Sequence, residues 1–503
     1  MLRRLAQNTA ISAVTFGITG ALGLLVVGVI VRAYGLSAFG LIVLVRNLLP
    51  VGFLALIDFG VSETTTQAVA RARGGGNWVV AGEKVALLLA GAFCIGLLSG
   101  CTLWFGASSF AALFRVAPEQ AAVFATMVRL TGLALLIAFP GLVFEGILKG
   151  FENYGWLRLV EIVGIGSYVA AVLAIVSEGM AYQWVAYSFT TMIICKYLVL
   201  GLVAWRVARN SPLRFHHATI DSRRDLSRRS WLMFAGRIVG ILQNQLPPLA
   251  IGMLLGSGAV GIYDVLTRLP RFLKSVLGLL SSAILPVSAR VEEASDTGRR
   301  QMLARSGFVL PAAIAIPGLT VVGLFSQEIL THWIGVSAAA HWPWMSLMLL
   351  VPAVGVLLGS SQTALLIRPD FLRATLKLVF LQTAIQYAVT LAFLSTLDQF
   401  AFIFGQVLAS VTFTPLLAKR IFDEWEMPLG LFWNQLARHT ANAAILVAAV
   451  AMIKFLLAPL GLYELTIVIG LCCVAGWGLS YAIVLSSGDR AMFGRVLRSL
   501  HRI

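Results

Sequence analysis

The stretch VGIYDVLTRLPRFLKSVLGLLSSAILPV, residues 260–287, is long and apolar enough to cross a bilayer as a helix, yet it contains four charged residues. These are Asp264, Arg268, Arg271 and Lys274. Their spacings of four, three and three residues place them within an arc of about 120° on one helical face. Each cation at the centre of a bilayer costs about 2.5–3.5 kcal/mol on insertion scales. We therefore expect this face to line water, an anion or a partner helix rather than lipid.

The whole chain has the composition of a polytopic membrane protein. Hydrophobic residues make up 59% of its 503 positions, charged residues make up 12%, and the mean hydropathy is +0.89. A soluble domain is closer to about 25% charged. A transmembrane strand needs only about ten residues, whereas the apolar runs here extend over about 20, which indicates helices. The predicted fold class is an all-α polytopic membrane protein.

The hydrophobic pattern predicts fourteen spans. They lie near residues 9–31, 39–60, 85–106, 122–148, 158–177, 184–205, 231–254, 260–288, 304–326, 344–367, 375–396, 400–418, 441–459 and 464–487. The predicted organisation is an N-terminal six-helix lobe (1–205), a basic cytoplasmic linker (206–230), a C-terminal six-helix lobe (231–420), and two additional helices with a basic cytoplasmic tail (421–503).

The basic residues predict the orientation of these spans. With the N-terminus in the cytoplasm, cytoplasmic segments and helix ends hold 28 of the 38 lysines and arginines, and the outer loops hold two, Arg32 and Arg115. We therefore predict a multi-pass protein with an uncleaved first span and both termini in the cytoplasm. The formal net charge of +16 follows this distribution between hydrophobic runs, which argues against nucleic acid as a partner.

The chain contains an internal repeat. GLSAFGLIVLVRNL, from Gly35, and GSGAVGIYDVLTRL, from Gly256, are offset by 221 residues and are both predicted to begin at an outer turn. Identical pairs are Gly35/Gly256, Ala38/Ala259, Gly40/Gly261 and Leu48/Leu269. Tight outer turns favour small residues in general, but the equivalent place of each segment in its six-span half favours duplication. Such halves are parallel repeats in pseudo-twofold relation around a central cavity, and they place Arg46 and Arg268 at similar depth.

The candidate cavity residues are mainly cations inside predicted spans. They are Arg46, Arg129, Lys196, Arg237, Asn244, Asp264, Arg268, Arg271 and Lys274. This excess of positive charge favours an anionic substrate, and arginine binds phosphate through paired hydrogen bonds. Asp264 and Glu145 are the candidates for binding a coupling ion, H⁺ or Na⁺. The alternatives are that Asp264 only neutralises Arg268 and that Glu145 only pairs with Lys149.

No residue pattern predicts a catalytic or metal site. The five cysteines, Cys94, Cys101, Cys195, Cys472 and Cys473, lie inside apolar runs without histidines at ligand-like spacing. We therefore expect neither a metal centre, nor a disulfide framework, nor a cofactor.

Three segments resemble a known family. RAYGLSAFGLIVLVRNLLPVGFLALIDFGVSET (32–64), with the acidic motif Asp58-Phe59-Gly60, is similar to the start of Wzx-type polysaccharide flippases. LLGSGAVGIYDVLTRLPRFLKSV (254–276), followed by AILPVSAR (283–290), matches the second half. These flippases belong to the multidrug/oligosaccharidyl-lipid/polysaccharide (MOP) exporter superfamily, and the resemblance covers most of the chain, including twelve core spans.

The resemblance implies a function at the bacterial inner membrane. The protein would move an undecaprenyl-pyrophosphate-linked oligosaccharide from the cytoplasmic to the outer leaflet for surface polysaccharides such as the O-antigen of lipopolysaccharide or an exopolysaccharide. Its implied partners are the lipid bilayer, a polysaccharide polymerase and the chain-length machinery, and it would not be an enzyme. The two additional spans bring in peptidoglycan-precursor flippases as an alternative, because these also have fourteen.

Three further alternatives fit the sequence less well. A multidrug or cation antiporter of the same superfamily would favour acidic residues in its cavity. A membrane polymerase or glycosyltransferase would be expected to have a long outer loop or an aspartate-rich motif, whereas the longest outer loop, after Phe325, carries only Glu328, His332 and His341. A scaffold without transport activity would not need a buried charged row.

Overall fold

The computed structural model describes residues 2–50, 52, 60–214, 238–282, 297–365, 368–457 and 461–490. Within these ranges every regular element is a helix. Hydrocarbon offers no partner to a backbone N–H or C=O group, so a helix that satisfies its own backbone is the stable solution for each apolar run. The predicted all-α class is confirmed. The chain divides into two compact units, Met1–Asp264 and Val265–Ile503, and each is described by itself.

The first unit contains eight described helices and the beginning of a ninth. They are α1 (Leu2–Asn47), α2 (Val61–Gly75), α3 (Trp78–Leu113), α4 (Pro118–Gly150), α5 (Tyr154–Ser177), α6 (Gln183–Arg209), α7 (Ile238–Asn244), α8 (Leu246–Leu255) and α9 (Ser257–Ser282). Helix α1 is two helices joined at a kink at Gly35, which is the outer turn predicted between spans 1 and 2.

The predicted second span is not one continuous helix over residues 39–60. Helix α1 ends at Asn47, and the backbone then turns through residues 48–50, with a further turn bond from Gly52 N–H to the carbonyl of Leu49 (2.8 Å). Pro50 lies in this segment and cannot donate to a helical ladder. The break therefore falls within the apolar run that the sequence pattern treats as uninterrupted.

Small residues bring α3 and α4 into close contact. A Cβ at Gly100 would lie 2.7 Å from the carbonyl oxygen of Gly132, and one at Gly132 would lie 2.8 Å from the carbonyl oxygen of Gly100. One turn earlier, a Cβ at Gly96 would lie 2.8 Å from the carbonyl oxygen of Leu135. Membrane helices lack a hydrophobic driving force between them, so this backbone approach supplies van der Waals contact that larger residues would prevent.

The second unit begins within α9 and continues with nine further helices. They are α10 (Thr297–Leu324), α11 (Ser326–Trp333), α12 (Val336–Ala339), α13 (Trp342–Met348), α14 (Leu350–Leu365), α15 (Pro369–Leu397), α16 (Phe400–Glu424), α17 (Gly430–Leu457) and α18 (Leu462–Leu479). A π-helical turn, Ser480–Val484, follows α18. The outer loop predicted after Phe325 is folded into the short helices α11 and α12, and α13 begins the next span.

The predicted number of fourteen spans stays a prediction. Eleven described helices are long and apolar enough to cross a membrane, or twelve if the bent pair α7–α8 is one span. Helix α9 is not among them, because every 18-residue stretch of it holds at least three charged residues. The protein is a multi-pass membrane protein, and α9 is the helix whose charge needs an explanation.

Contacts within each unit agree with the predicted alternation of the spans. In the first unit, Tyr34 donates to the carbonyl of Met180 (2.7 Å) and Arg115 donates to the carbonyl of Leu254 (2.9 Å), and all four residues are predicted on the outer side. In the second unit, the segments predicted on the inner side are joined by an ion pair between Arg368 and Glu424 (3.0 Å). Which side faces the cytoplasm stays a prediction.

A buried carboxylate joins the segment after the π-helical turn to α10. Arg305 Nε donates to Asp489 Oδ1 (3.1 Å), and the Ser486 hydroxyl donates to Oδ2 (2.6 Å). Burial by itself raises the pKa of the Asp489 carboxyl, but the hydrogen bonds from Ser486 and Arg305, with the arginine charge, outweigh it and lower the pKa below its ordinary value. The carboxylate therefore holds the last span to α10 in its ionised form.

Gly100→Val is expected to separate α3 from α4. The added side chain meets the Gly132 carbonyl, and overpacking of this kind costs about 1–3 kcal/mol. The thermal unfolding midpoint of the detergent-purified protein should fall. Gly91→Val is the matched control, because Gly91 lies on the same helix with no atom within 4 Å of an added Cβ. Equal midpoints for the two variants would contradict the packing assignment.

Asp489→Asn is expected to destabilise the protein most at neutral pH. Because folding lowers the pKa of Asp489, its stabilisation is fully present above the unfolded-state value of about 3.9 and is lost as the pH falls through the lower folded-state value. Thermal midpoints at about pH 7 and about pH 2.5, below the unfolded-state value, should show a gap from wild type that narrows in acid. Asp370→Asn, at a carboxylate whose side chain is 94% exposed, is the control and should show little gap at either pH.

Candidate functional site

The charged row of the opening stretch lies on one helix. Helix α9 continues through Pro270, so the predicted placement of Asp264, Arg268, Arg271 and Lys274 on one face holds for the described backbone. Asp264 is buried, at 3% exposure, while Lys274 is exposed on the helix. Asp264, Arg268 and Arg271 each take part in a polar, ring or electrostatic interaction. Whether Asp264 pairs with Arg268 stays a prediction.

Arg271 folds back along its own helix. Its Nη2 donates to the Thr267 hydroxyl (2.8 Å) and its Nε donates to the Thr267 carbonyl (3.2 Å). Thr267 is fully buried, so these bonds fix the guanidinium one turn toward the start of α9. A guanidinium has five N–H donors in a planar fork, so its geometry allows it to contact more than one acceptor at once.

Arg46 lies in the last turn of α1, directly before the break in the second span. Its guanidinium stands 4.6 Å from the centre of the Phe189 ring on α6, and the residue is half-buried. The ring face stabilises the cation, and the carbonyl end of the helix does so as well. Broken helices are common at transporter binding sites, and their carbonyl ends attract cations, as this one attracts the guanidinium.

The predicted seventh span is also broken. Helices α7 and α8 are bent by 43° at Gln245, and the Asn244 amide donates to the Gly240 carbonyl (2.7 Å). Pro247 and Pro248 lie in the first turn of α8, where the missing N–H would have no helical partner. The two prolines therefore begin a new helix after the bend. Arg237 lies outside the described residues, as does the Asp58-Phe59-Gly60 motif except for Gly60.

Glu145 belongs to a cluster of charges at the predicted inner end of the first unit. It pairs with Lys149 (2.8 Å), as the structural alternative predicted, and Lys149 also donates to the Ser62 hydroxyl (3.4 Å). Lys196 of α6 interacts electrostatically with Glu145 and lies 5.0 Å from the centre of the Tyr197 ring. The structure thus brings Glu145 and Lys196 together, although they are 51 residues apart in the chain.

Arg129 does not join this cluster. It lies on the same helix as Glu145, 16 residues earlier, which is about 24 Å along the helix axis. Its side chain is exposed in the described structure.

The described residues hold no group of three or more metal-ligating side chains. Sequence reasoning missed the break after Asn47, for which Pro50 with Gly52 was the available signal.

The two repeated outer turns have the same backbone conformation and contact each other within the first unit. Gly35 has φ 81° and ψ 171°, and Gly256 has φ 85° and ψ 178°. These left-handed φ values favour glycine and place the two helices that follow in equivalent geometry. The hydroxyl oxygens of Ser37 and Ser257 lie 3.1 Å apart and share a hydrogen bond. Equal conformations at equivalent positions support the duplication inferred from the sequence.

The contact is reciprocal at the next pair of glycines. A Cβ at Gly40 would overlap the carbonyl oxygen of Ser257, and a Cβ at Gly261 would overlap the carbonyl oxygen of Leu36. Leu36 and Ser257 are equivalent in the repeat, as are Gly40 and Gly261, so each glycine accommodates the backbone of its counterpart's turn. Any side chain at either glycine would separate these helices.

Comparisons with known proteins agree on family and fold. The sequence profile described as "Polysaccharide biosynthesis protein" matches residues 5–292. A comparison with curated protein sequences gives no significant match. The lipid II flippase MurJ in an inward closed conformation is similar over 94% of this chain and 98% of its own, with TM-score 0.69 and 11% identity.

Two further solved structures share the fold. An inward-facing multidrug resistance MATE family transporter of the MOP superfamily is similar over 82% of this chain and 99% of its own (TM-score 0.65, 14% identity). A MOP superfamily transporter from Pyrococcus furiosus is similar over 84% of this chain and 96% of its own (TM-score 0.54, 15% identity). The chain has the fold of these transporters, and because the family profile covers more than half of it, it belongs to the polysaccharide biosynthesis protein family.

Proposed function

We propose that this protein is a flippase that moves a polyprenyl-pyrophosphate-linked oligosaccharide from the cytoplasmic to the outer leaflet of the bacterial inner membrane. The observation that carries the proposal is the charged row of α9, because a membrane helix with three cations on one face needs an anionic or aqueous neighbour. Family membership supports a polysaccharide intermediate as the substrate. A pyrophosphate supplies the anion, and Arg268 and Arg271 are the residues proposed to meet it.

Alternating access is the proposed mechanism, and the crossed outer turns support it. The reciprocal contact of Gly40 and Gly261 holds the outer ends of two helices together without side chains between them. Substrate release to the outer leaflet requires such a contact to separate. Glycine-only packing is suited to this because it gives close contact without interlocked side chains that would resist separation.

A peptidoglycan-precursor flippase is the second candidate. The structure of MurJ is similar over 94% of this chain, so its likeness extends into the two additional spans. Both candidates carry a lipid-linked glycan with a pyrophosphate, so the cationic row suits either. The polysaccharide family profile favours the first. A multidrug antiporter is less favoured, because the membrane cations of this chain outnumber its membrane carboxylates.

We infer that Glu145 has a structural role and does not bind a coupling ion, H⁺ or Na⁺, because its carboxylate is already paired. Lys149 and Lys196 both interact with its carboxylate. Asp264, which is buried beside the cationic row, remains the better of the two original candidates. The polymerase and chain-length machinery remain proposed partners.

Deletion of the gene in its host tests the function directly. We expect surface polysaccharide to fall and polyprenyl-pyrophosphate-linked oligosaccharide to accumulate inside, with restoration by a plasmid copy. Accumulation of lipid II instead, with arrested cell-wall growth, would favour the second candidate. Unchanged amounts of both lipid-linked intermediates would refute a flippase of either kind.

Removal of two cations from α9 is expected to abolish export. The double variant Arg268→Ala/Arg271→Ala and the single variant Arg46→Ala should accumulate in the membrane at wild-type amounts yet lower surface polysaccharide at least about tenfold, as loss of a charged hydrogen bond predicts. Arg373→Ala is the control, since its side chain is 67% exposed. Normal export by the double variant would contradict the cationic site.

Alanine at Gly40 or Gly261 is expected to keep the outer turns apart. Overpacking of about 1–3 kcal/mol shifts a two-state equilibrium by about 5–150-fold, so export should fall. Gly258→Ala is the matched control, because Gly258 lies in the same turn with no atom within 4 Å of an added Cβ. A Ser37→Cys/Ser257→Cys variant in a background without native cysteines should cross-link, and oxidation should stop export until a reductant is added. Full export by the oxidised, cross-linked protein would contradict the proposal that the two outer turns separate during transport.

A further inference from the structure

Helix α17, the first of the two additional spans, carries a row of buried polar side chains. Gln435, His439 and Asn442 are spaced by four and three residues, so they lie on one face of the helix. Their exposed fractions are 7%, 3% and 1%. Buried polar groups in a membrane protein are costly, and their presence on one face indicates a polar site.

Four atoms of this row have no hydrogen-bond partner among the described residues. They are Gln435 Oε1, His439 Nδ1, His439 Nε2 and Asn442 Oδ1. The Asn442 Nδ2 donates to the Ser480 hydroxyl (2.9 Å) and to the Gly476 carbonyl oxygen (3.5 Å). Because a carbonyl oxygen only accepts, the atom facing it must be the amide nitrogen, so the unpartnered atom of Asn442 is Oδ1. An unsatisfied buried polar group is unfavourable, so an additional ligand would stabilise the row.

The hydrogen-bonding capacities of the row match a bound proton. A neutral imidazole has one N–H donor, whereas a protonated imidazole has two. The unpartnered atoms on either side of His439 are both acceptors, Gln435 Oε1 and Asn442 Oδ1. Side chains three and four residues apart on a helix have Cβ atoms about 5–6 Å apart, so the His439 ring can reach Gln435 and Asn442 directly or through one water. Only the protonated ring can donate to both acceptors at once.

Cavities adjoin both ends of the row. Gln435 lines one of about 10 Å³ together with Arg305, Phe308 and Leu431, and this is close to the volume that one water needs. Ser480, which accepts from Asn442, lines a second cavity of about 270 Å³ beside Trp477. The first cavity lies toward the predicted inner side, because it includes Arg305, near the inner end of the span predicted at residues 304–326. Water in this cavity would contact the row at Gln435, about one helical turn from His439.

The charged and titratable groups around the row decide how strongly a proton is held. On the packed elements they are Arg305 of α10, Cys472 and Cys473 of α18, Tyr481 of the π-helical turn, and Asp489 and Arg490 beyond it; on α17 itself they are Arg438 and Lys454. Arg305 is paired with Asp489, Arg438 donates to the Val484 carbonyl (3.2 Å), and Lys454 is paired with Glu328 (2.7 Å) at the other end of the helix. Burial and these cations oppose an added charge, and the two acceptors favour it, so binding is reversible rather than permanent.

We propose that Gln435, His439 and Asn442 form a proton-binding site that couples transport to the proton gradient. The proton adds to the unprotonated ring nitrogen from water at the Gln435 end and returns to water from either ring nitrogen. Beyond Asn442, α17 buries the apolar Leu446 and Val450, which separate the site from the outer side. Release to that side therefore requires the helices to rearrange. The coupling role rests on the proposed transport function, whereas proton binding itself does not.

Nitrogen NMR of histidine-labelled protein in lipid nanodiscs tests proton binding. His439→Gln identifies the His439 signal among those of the six histidines, because glutamine keeps a donor and an acceptor but takes up no proton. We expect the His439 ring signals to change from the neutral to the doubly protonated form between about pH 8 and about pH 3. His439→Gln should take up one proton fewer over this range. A ring that stays neutral throughout, with equal proton uptake by variant and wild type, would overturn the site.

Gln435→Leu gives a second test that does not require replacement of the histidine. Loss of one acceptor should shift the His439 titration about one pH unit lower, which is about tenfold weaker proton binding. An unshifted titration would overturn the assignment of Gln435. His341→Gln, on the outer side, is the control and should leave the titration unchanged.

Coupling is tested in cells by an uncoupler that dissipates the proton gradient. Export by wild type and by His341→Gln should fall, while the residual export of His439→Gln should be insensitive. Equal sensitivity of His439→Gln and wild type would overturn the coupling role. Because the NMR titration does not depend on export, failure of the proton site and failure of the flippase assignment are distinguished: the first appears in the titration, and the second in the gene-deletion test.

Discussion

The hydrocarbon core of a bilayer offers no hydrogen-bond partner, and this constraint explains where the charges of the protein lie. Arg46 rests on the Phe189 ring, Arg271 bonds to Thr267, and Lys149 pairs with Glu145. Each contact replaces part of the hydration that the charge loses, at a depth where unpaired cations are unfavourable. The α9 row is more demanding because its charges are concentrated on one face, which is why it supports a site for an anion.

The same constraint explains the glycines. Helices in a membrane gain little from burying apolar side chains against each other, so backbone approach supplies much of their attraction. Gly100 and Gly132 use it to hold α3 against α4, while Gly40 and Gly261 use it between two repeated turns. One physical device therefore supports a fixed contact within the first unit and a contact that we propose to open during transport.

Much of the fold was predictable because its signals are local. Apolar runs predict helices, and Gly35 and Gly256 mark equivalent turns, whereas the sidedness that the basic clusters indicate stays a prediction. The break after Asn47 was missed because Pro50 and Gly52 lie inside an apolar run that reads as a single span. The interaction of Lys196 with Glu145 was not predicted, since the two residues lie on different helices. The His439 row was missed for a related reason: histidine and amide side chains at helical spacing show neither their burial nor the absence of partners.

The sequence by itself determined the helical class, the alternation of spans, the repeat and the charged face of α9, because each depends on residues close together in the chain or on a regular spacing. Tertiary structure alone decided which charges from distant helices meet, where the second span breaks, and which polar groups are enclosed without partners. These features depend on side chains brought together from distant helices, and the number of hydrogen-bond partners that a buried group finds is a property of that packing. His439 shows the difference: its position was visible from the start, but only the enclosing helices make it a site.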